Sequence, residues 1–382
     1  MKIALVFDGL GFGGIERIGL DYSKIALDLG YDVDIYNLNP KADALVSTIN
    51  KKIGYYPIKY SRILCPELYS YGIQKYVWGK YAYAILSPIL SLVQTIYKVF
   101  KKKKSYDVAI SIAGHINDLS FVGKSFIKSK KKVVWCHGKL LSYLAICDAY
   151  PILYKKVDTI VTLSSVGEKE VYLGKKFLYD KNIQKIYNPS FIKEEKINYE
   201  YVNELKSKYG DFILMIARFK KGKGQDIAIE VLKRIHEAGI KKYIVFLGDG
   251  DTIDTCKEMA KKYGLEKYCI FEGSKKNVCD YIMASYINLL TSQWEGLPTV
   301  IIEAMSLGKP CVMTNSDDGE VSDNGKYCIL TKVDDIDSIY KRIINLYNNH
   351  DLYREYCELS LERAKDFDPI IIKKQFKKLI EE

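Results

Sequence analysis

Residues 292–303 read Ser-Gln-Trp-Glu-Gly-Leu-Pro-Thr-Val-Ile-Ile-Glu, and they directly follow the short apolar stretch Ile287–Thr291. The apolar stretch predicts a buried strand, and Pro298 suits the first turn of the helix that follows it. The first N–H groups of such a helix have no partner within the helix, and the helix dipole favours an anion beside them. We therefore expect the N–H groups of Leu297, Thr299 and Val300 to point at a phosphate.

Two acidic residues frame this turn. Glu295 lies just before it, and Glu303 lies in the second turn of the predicted helix. A carboxylate can accept hydrogen bonds from two neighbouring hydroxyl groups, such as those of a sugar ring. We expect both carboxylates to face a polar ligand. The alternative is that Glu295 and Glu303 are solvated surface acids without a ligand.

Basic residues follow another predicted strand, Phe212–Ala217. The sequence then reads Arg-Phe-Lys-Lys-Gly-Lys-Gly, so that Arg218 and Lys223 can both lie where the strand ends. An arginine fork and a lysine charge together can neutralise a diphosphate without a metal ion. The alternative is a solvated basic loop, which is our interpretation of Lys220 and Lys221.

Short apolar strands alternate with helical patterns along the whole chain, which predicts parallel sheets covered by helices on both faces. Strands are predicted at Ile3–Phe7, Val33–Asn37, Val108–Ile112, Lys132–Trp135, Thr159–Leu163, Gln184–Tyr187, Phe212–Ala217, Tyr243–Leu247, Tyr268–Phe271, Ile287–Thr291, Cys311–Thr314 and Tyr327–Leu330. We predict two Rossmann-like lobes, at residues 1–190 and 191–365, and a final helical segment at 366–382. Ligands of such sheets bind at the carboxyl ends of the strands, so two lobes that face each other place the ligand in a central cleft.

A glycine-rich turn follows the first predicted strand. Gly9, Gly11 and Gly14 have the spacing of a dinucleotide-binding turn, and Asp32 and Asp34 lie at about the 20-residue distance of its acidic partner. This spacing leaves open an NAD(P)-dependent oxidoreductase, which would give residues 292–303 no role. A tight turn without any ligand is the other alternative.

These motifs together resemble those of the retaining glycosyltransferases of family 4. The resemblance rests on Glu295-x7-Glu303, on Arg218 with Lys223-Gly224, on Gly13-Gly14-Ile15-Glu16-Arg17, and on Glu320 before Asn324-Gly325. Their order and spacing are similar to the family over nearly the whole chain, and the C-terminal half carries the more specific motifs. The resemblance implies the GT-B fold, in which the C-terminal lobe binds the sugar nucleotide, the N-terminal lobe binds the acceptor, and the last helix crosses back to the first lobe.

The resemblance also implies roles for individual residues. Catalytic roles fall to Arg218, Lys223, Glu295 and His137; donor binding falls to Gly13, Gly14, Gly296, Leu297, Pro298, Thr299 and Glu303; acceptor binding falls to Glu16, Arg17 and His115. The implied reaction moves one hexose from a nucleotide diphosphate sugar, UDP in our expectation, to a hydroxyl group of a glycan or lipid-linked glycan, with retention at the anomeric carbon. A lobe that binds the sugar nucleotide without turnover is the non-enzyme alternative.

The sequence predicts no metal and no other cofactor. The nine cysteines and four histidines show no metal-ligand spacing, and scattered thiols are typical of a reducing, cytoplasmic compartment. Asp249-Gly250-Asp251 is similar to the Asp-x-Asp metal motif of the other large glycosyltransferase fold. We interpret it as a glycine-rich turn near the nucleotide.

Positive charge is concentrated in the first half of the chain. Residues 1–190 carry 28 Lys and Arg against 15 Asp and Glu, net +13, whereas residues 191–382 carry 30 against 32, net −2. The basic run Lys101–Lys104 follows the apolar stretch 81–100, which Ser87-Pro88 interrupts, and this arrangement predicts docking on an anionic membrane without spanning it. A buried helix followed by a solvated loop is the alternative. We expect a peripheral protein on the inner face of the plasma membrane, and no nucleic-acid partner.

Overall fold

The computed structural model describes residues 1–11, 13–60, 65–73, 76–99, 104–147, 149–173, 176–192 and 197–382. The chain divides into two compact units, Met1–Pro189 with Ile372–Glu382, and Ser190–Ile371. Part of the predicted final segment therefore belongs to the second unit, and only its last eleven residues, 372–382, belong to the first.

The first unit contains a seven-stranded parallel sheet with the order β3-β2-β1-β4-β5-β6-β7. Its strands are β1 (Lys2–Phe7), β2 (Asp32–Asn37), β3 (Gly54–Pro57), β4 (Ser105–Ser111), β5 (Lys128–Cys136), β6 (Thr159–Thr162) and β7 (Asn182–Lys185). The prediction of a parallel sheet is confirmed, but the edge strand β3 was missed. Its sequence, Gly-Tyr-Tyr-Pro, is short and bounded by residues that are rare in strands, so pairing with β2 decides its conformation.

Helices cover both faces of this sheet. They are α1 (Gly14–Asp28), α2 (Pro66–Ile73), α3 (Gly79–Val99), α4 (Ile116–Gly123), α5 (Leu140–Leu144), α6 (Tyr150–Lys155) and α7 (Ser165–Leu173). Most of the last helix of the chain also packs in this unit, where the Phe376 ring lies 5.1 Å from the Tyr22 ring and the Tyr31 hydroxyl donates to Glu381 at 2.7 Å.

Helix α3 corrects one expectation from the sequence. We expected Ser87-Pro88 to interrupt the apolar stretch, but the helix runs through Pro88 for 21 residues. Pro88 is exposed, so water can bond the carbonyl that the missing N–H leaves without its helical partner. Among the described helices, none is long and apolar enough to cross a membrane. Lys101–Lys103 of the predicted basic run lie outside the described residues.

The second unit contains a six-stranded parallel sheet with the order β10-β9-β8-β11-β12-β13. Its strands are β8 (Ile213–Ile216), β9 (Ile244–Leu247), β10 (Cys269–Gly273), β11 (Ile287–Leu290), β12 (Cys311–Thr314) and β13 (Ile329–Thr331), and its helices are α8 (Tyr199–Tyr209), α9 (Gln225–Glu237), α10 (Ile253–Lys262), α11 (Val278–Ala284), α12 (Thr299–Ser306), α13 (Ile336–Asn348) and α14 (His350–Ala364). The helix α15 (Pro369–Glu381) leads from this unit into the first.

The strand order of each sheet reverses at one point, between β1 and β4 in the first unit and between β8 and β11 in the second. The connections that leave these neighbouring strands run to opposite sides of the sheet. A crevice therefore opens at their carboxyl ends, where ligands of open α/β sheets bind. Apart from His137, which follows β5, the candidate residues follow these two central strands in each unit.

Candidate functional site

In the second unit, the loop after β8 is bonded to the segment after β11. The Thr291 hydroxyl donates to the Gly224 carbonyl at 2.6 Å, and the Gln293 amide donates to the Gly222 carbonyl at 2.8 Å. Both glycines are left-handed, with φ of 88° at Gly222 and 77° at Gly224, and a Cβ at Gly224 would lie 2.1 Å from the Thr291 carbonyl oxygen. Glycine is therefore required for the two motifs to meet.

An ion pair completes this junction. The Lys223 ammonium lies 2.7 Å from Glu295 Oε1, and the two side chains are 25% and 16% exposed. An ion pair that is partly open to water stabilises a fold only modestly. Its consequence is geometric, because it places one positive charge beside the segment that leads into α12. The structure thus brings together two residues that the sequence singled out separately.

The segment between Glu295 and α12 leads directly into the N-terminal end of the helix. We predicted Pro298 in the first turn of the helix, but α12 begins at Thr299 and Pro298 occupies the N-cap position. The Ile301 and Ile302 amides donate to the Pro298 carbonyl, so the two N–H groups before them belong to the open end of the helix. This end carries the positive pole of the helix dipole and suits an anion.

The two remaining candidates of this unit differ in exposure. Glu303 lies on α12 and is only 6% exposed, so it is not the solvated surface acid of the alternative interpretation. Arg218 is exposed, and its carbonyl accepts a hydrogen bond from the Gln225 side chain at 3.0 Å. This bond fixes the backbone of Arg218 just after the end of β8. The ligand contacts of both side chains stay predictions.

The Asp249-Gly250-Asp251 segment packs against the loop after β8. The Phe219 amide donates to the Asp249 carbonyl at 2.9 Å, and a Cβ at Gly250 would lie 2.3 Å from the Phe219 carbonyl oxygen. The segment is therefore a close backbone turn, as we interpreted it. In the part of the chain that the structure describes, no group of three or more His, Cys, Asp or Glu side chains could hold a metal ion.

In the first unit, polar side chains meet at the ends of β1 and β4. The Asn117 side chain donates to Asp8 Oδ1 at 2.6 Å, and His115 Nδ1 lies 3.5 Å from Asp8 Oδ2. His115 was a predicted acceptor-binding residue, whereas Asp8 and Asn117 were missed. Their signal in the sequence is position, because each follows a central strand by only a few residues.

Asp118 holds the turn in which these residues lie. Its Oδ2 accepts hydrogen bonds from the Ser111 hydroxyl at 2.7 Å and from the Ala113 and Gly114 amides at 2.7 and 3.0 Å. Burial raises the pKa of Asp118 to about 6. Asp118 is thus a buried positioning residue for the β4–α4 turn, and the sequence did not single it out.

The glycine-rich turn of the first unit leads into α1, with Gly13 as its N-cap residue. The Glu16 carboxylate folds back over Gly13, and a Cβ at Gly13 would lie 2.1 Å from Glu16 Oε2. Arg17 is exposed on the same first turn, and Phe12 lies outside the described residues. A negative carboxylate therefore covers the N-terminal end of α1, which the sequence predicted to approach the donor through Gly13 and Gly14.

The geometry of β2 argues against a dinucleotide site at this turn. A ribose-binding acid belongs at the carboxyl end of the second strand. Asp32 instead begins β2, and Asp34 is a buried mid-strand residue whose Oδ2 accepts from the Tyr106 hydroxyl at 2.7 Å. The strand ends at Asn37. Neither Asp32 nor Asp34 therefore lies at the carboxyl end of β2, where the acidic partner of a dinucleotide-binding turn would be.

His137 follows β5 with a fixed tautomer. Its Nε2 lies 2.9 Å from the Ile112 carbonyl oxygen, which can only accept, so Nε2 carries the proton and Nδ1 is the acceptor. Burial lowers the pKa of His137 to about 4. The imidazole is therefore neutral at pH 7, and it can accept a hydrogen bond from a hydroxyl group.

We expect the lowered pKa of His137 to reduce the free energy of unfolding at mildly acidic pH relative to neutral pH. Its pKa is near 6.5 in the unfolded chain and about 4 in the folded one, so between these values the unfolded state binds a proton that the folded state does not. Stability should fall as the pH falls through this window. Thermal unfolding at pH 7.5 and pH 5 should show that wild type loses about 1–2 kcal/mol more than His137→Gln. Equal losses would contradict the lowered pKa.

The sequence of this chain is similar to those of known glycosyltransferases. Residues 200–360 match the family described as glycosyl transferases group 1. The chain is 29% identical over 269 residues to an uncharacterized glycosyltransferase of Methanocaldococcus jannaschii, covering 61% of this chain and 66% of that protein. It is 23% identical over 381 residues to the N-acetylgalactosamine-N,N'-diacetylbacillosaminyl-diphospho-undecaprenol 4-alpha-N-acetylgalactosaminyltransferase of Campylobacter jejuni, covering 97% of each chain.

A solved structure shows the fold over the whole chain. HepE of Anabaena, in complex with UDP-glucose, superposes with a TM-score of 0.75 at 18% identity, covering 100% of this chain and 99% of that one. The likeness shows the GT-B fold that the resemblance implied. None of these findings supports the oxidoreductase alternative.

Proposed function

We propose that the chain, whose residues 200–360 match the glycosyl transferases group 1 family, transfers one hexose from a UDP-sugar to a hydroxyl group of a glycan or lipid-linked glycan. The proposed transfer retains the anomeric configuration and needs no metal ion. The proposal places the chain among the family 4 enzymes that it resembles, in the synthesis of a cell-surface polysaccharide or glycolipid.

The contact between Lys223 and Glu295 carries this proposal. It joins the loop after β8 to the segment before α12, at the point where the strand order reverses. A diphosphate at this place would meet the Lys223 ammonium, the Arg218 guanidinium and the open N–H groups at the start of α12. These groups would stabilise the negative charge that develops on the leaving diphosphate.

Glu303 is the proposed ribose-binding residue of the second unit, and His137 is a proposed sugar-binding residue of the first unit. The buried Glu303 carboxylate would accept hydrogen bonds from the ribose hydroxyls. The neutral His137 would accept one from a sugar hydroxyl through Nδ1, because its protonation state does not suit a phosphate contact. Glu295 would orient the sugar from the other side of Lys223.

Retention is proposed through attack on the face that the leaving group departs from. The bond from the anomeric carbon to the diphosphate oxygen breaks, and the bond to the acceptor oxygen forms on the same face. The proton of the acceptor hydroxyl passes to the leaving phosphate oxygen, so that no protein nucleophile is required. The same cationic groups of the loop after β8 would replace a metal ion.

The proposed donor and acceptor draw on the similar proteins. HepE is known in complex with UDP-glucose, and the Campylobacter jejuni relative is named for a diphospho-undecaprenol acceptor. A lipid-linked acceptor requires the enzyme to work at a membrane surface. We propose that the first unit docks on anionic lipid at the inner face of the plasma membrane, since residues 1–190 carry a net charge of +13.

The purified protein should release UDP from one UDP-sugar in excess EDTA at the same rate as with added Mg²⁺ or Mn²⁺. The physical reason is that the cationic loop and α12 supply the charge that a metal would otherwise supply. The assay screens UDP-sugars and GDP-sugars for slow hydrolysis, with NAD as a control ligand in thermal unfolding.

Two outcomes would contradict the proposal. A strict Mn²⁺ requirement that is lost in Asp249→Ala would show that the Asp-Gly-Asp turn holds a metal after all. Tight UDP binding with neither hydrolysis of the donor nor transfer to any acceptor would favour a regulatory sugar-nucleotide-binding protein.

A further inference from the structure

Helix α3 presents an apolar face to solvent. Its exposed large side chains are Tyr81, Ile85, Ile89, Leu92, Val93 and Ile96, each 40% to 70% exposed. Successive residues of a helix are separated by about 100°, so these positions fall within one sector about 120° wide. We refer to this sector, with the exposed Val77 and Trp78 that precede the helix, as the α3 surface. An apolar patch of this kind marks a site of interaction.

Buried polar contacts fix the direction in which this surface points. On the opposite side of the helix, the Gln94 side chain donates to the Tyr60 hydroxyl at 3.1 Å and accepts from the Lys124 ammonium at 2.9 Å. Lys124 also pairs with Glu67 at 2.9 Å, and both of these side chains are only 7% exposed. Rotating α3 to bury its apolar sector would break both Gln94 bonds and remove one hydrogen-bond acceptor from the buried Lys124 ammonium.

The sequence around the α3 surface has one sign of charge. Residues 68–106 contain seven lysines and no aspartate or glutamate. A second copy of this chain would bring a surface with the same exposed Lys80 and no acidic side chain on α3 to offset it. An anionic bilayer offers both negative headgroups and an apolar interior, and it therefore complements the surface in both respects.

A pocket adjoins the α3 surface at the start of the helix. It has a volume of about 420 Å³ and is lined by Ile73, Val77, Tyr83 and Ile152, with Lys80 among the lining residues. The lining is predominantly apolar, and the volume lies within the usual range of ligand pockets. The pocket extends the apolar area inward from the exposed sector.

We propose that the α3 surface inserts into the headgroup boundary of an anionic bilayer and is the part of the first unit that anchors it there. The proposal identifies the part of the first unit that carries out the membrane docking proposed above. It rests on the proposed function only because a lipid-linked acceptor is the reason for the enzyme to bind a membrane. The apolar side chains enter the boundary, and the exposed Lys80 in the first turn of α3 meets the phosphates. Attraction by charge alone would leave the apolar sector in water.

The test is co-sedimentation with vesicles of equal parts phosphatidylglycerol and phosphatidylcholine, at low and high salt. Ile85→Ser with Leu92→Ser should weaken binding about tenfold or more, because two inserted aliphatic side chains are lost. The matched control is Tyr172→Ser with Leu173→Ser, which removes two exposed apolar side chains from α7 of the same unit. Changing Lys101, Lys102 and Lys103 to Gln should weaken binding at low salt and leave a salt-resistant part.

Insertion has its own optical signal. In a Trp294→Phe background, only Trp78 and the buried Trp135 emit, so a blue shift on adding vesicles reports Trp78 entering an apolar environment. Donor hydrolysis, measured without vesicles, should be unchanged in the Ile85/Leu92 variant, which shows that it is folded. A second double variant, Tyr81→Ser with Ile96→Ser, should weaken vesicle binding in the same way. Agreement between the two variants shows that the loss of binding is not caused by a local structural change at Ile85 or Leu92.

Three results would overturn the proposal. The first is that the wild-type protein does not bind these vesicles at low salt. The second is that the α3 variants bind the vesicles as tightly as wild type does. A change of oligomeric state in the variants, without a change in vesicle binding, would assign the surface to a second copy. If hydrolysis is absent while vesicle binding holds, the proposed function fails and this inference stands.

Discussion

Replacing Lys223 by alanine should lower the turnover number about 30- to 1000-fold, corresponding to about 2–4 kcal/mol of transition-state stabilisation. The Lys223 ammonium is held 2.7 Å from Glu295 Oε1 at the junction of the two central loops, where the leaving diphosphate is proposed to lie. Its charge matters most as the diphosphate departs, so the loss should fall on turnover more than on the Michaelis constant. Steady-state transfer or donor hydrolysis measures both constants.

The matched control for this change is Lys221→Ala, which removes an exposed lysine two positions earlier in the same loop. The thermal midpoint of Lys223→Ala should stay close to that of wild type, because the ion pair is partly open to water. The double variant with Glu295→Ala should lose less than the sum of the two single losses, since the two side chains act as one unit. Near-normal turnover in Lys223→Ala would remove this residue from the proposed site.

Replacing Glu303 by alanine should lower kcat/KM about 30- to 1000-fold, through the loss of charge-assisted hydrogen bonds to the ribose. Glu303 is only 6% exposed, so alanine also leaves a small cavity on α12. Glu303→Gln separates the two effects, because it keeps the shape and removes the charge. We expect Gln to keep the thermal midpoint of wild type and to lose most of the activity that Ala loses.

Glu258→Gln, on the exposed side of α10, is the matched control for removing a helical carboxylate. Binding of UDP by calorimetry should weaken in both Glu303 variants and be unchanged in the control. If Glu303→Gln binds UDP and turns over as wild type does, the buried carboxylate is structural and the donor assignment of α12 is wrong.

The periodicity of the chain predicted the fold because strands and helices depend on neighbouring residues. β1 is buried at every position but its first, and it reads as a continuous apolar run. The same local signal located most strands to within a few residues. It failed at β3, where pairing with β2 overrides a weak strand sequence, and at Pro88, where the exposed side of α3 tolerates a missing N–H.

Side-chain partnerships were not predictable in the same way. The sequence placed Lys223 and Glu295 at two strand ends, but their contact spans 72 residues and exists because β8 and β11 are neighbours at the reversal of the strand order. Asp8 and Asn117 meet across 109 residues for the corresponding reason at β1 and β4. Strand order depends on how whole elements pack, which no short stretch of sequence contains.

By itself, the sequence determined which residues carry charge and roughly where most strands lie, and so it determined the class of fold and the candidates for phosphate binding. The tertiary structure decided the rest. It fixed the His137 tautomer through the distant Ile112 carbonyl, buried Glu303, and held the apolar sector of α3 toward solvent through Gln94 and Lys124. Protonation, burial and exposure are set by the groups that folding brings near a side chain, and those groups lie far away along the chain.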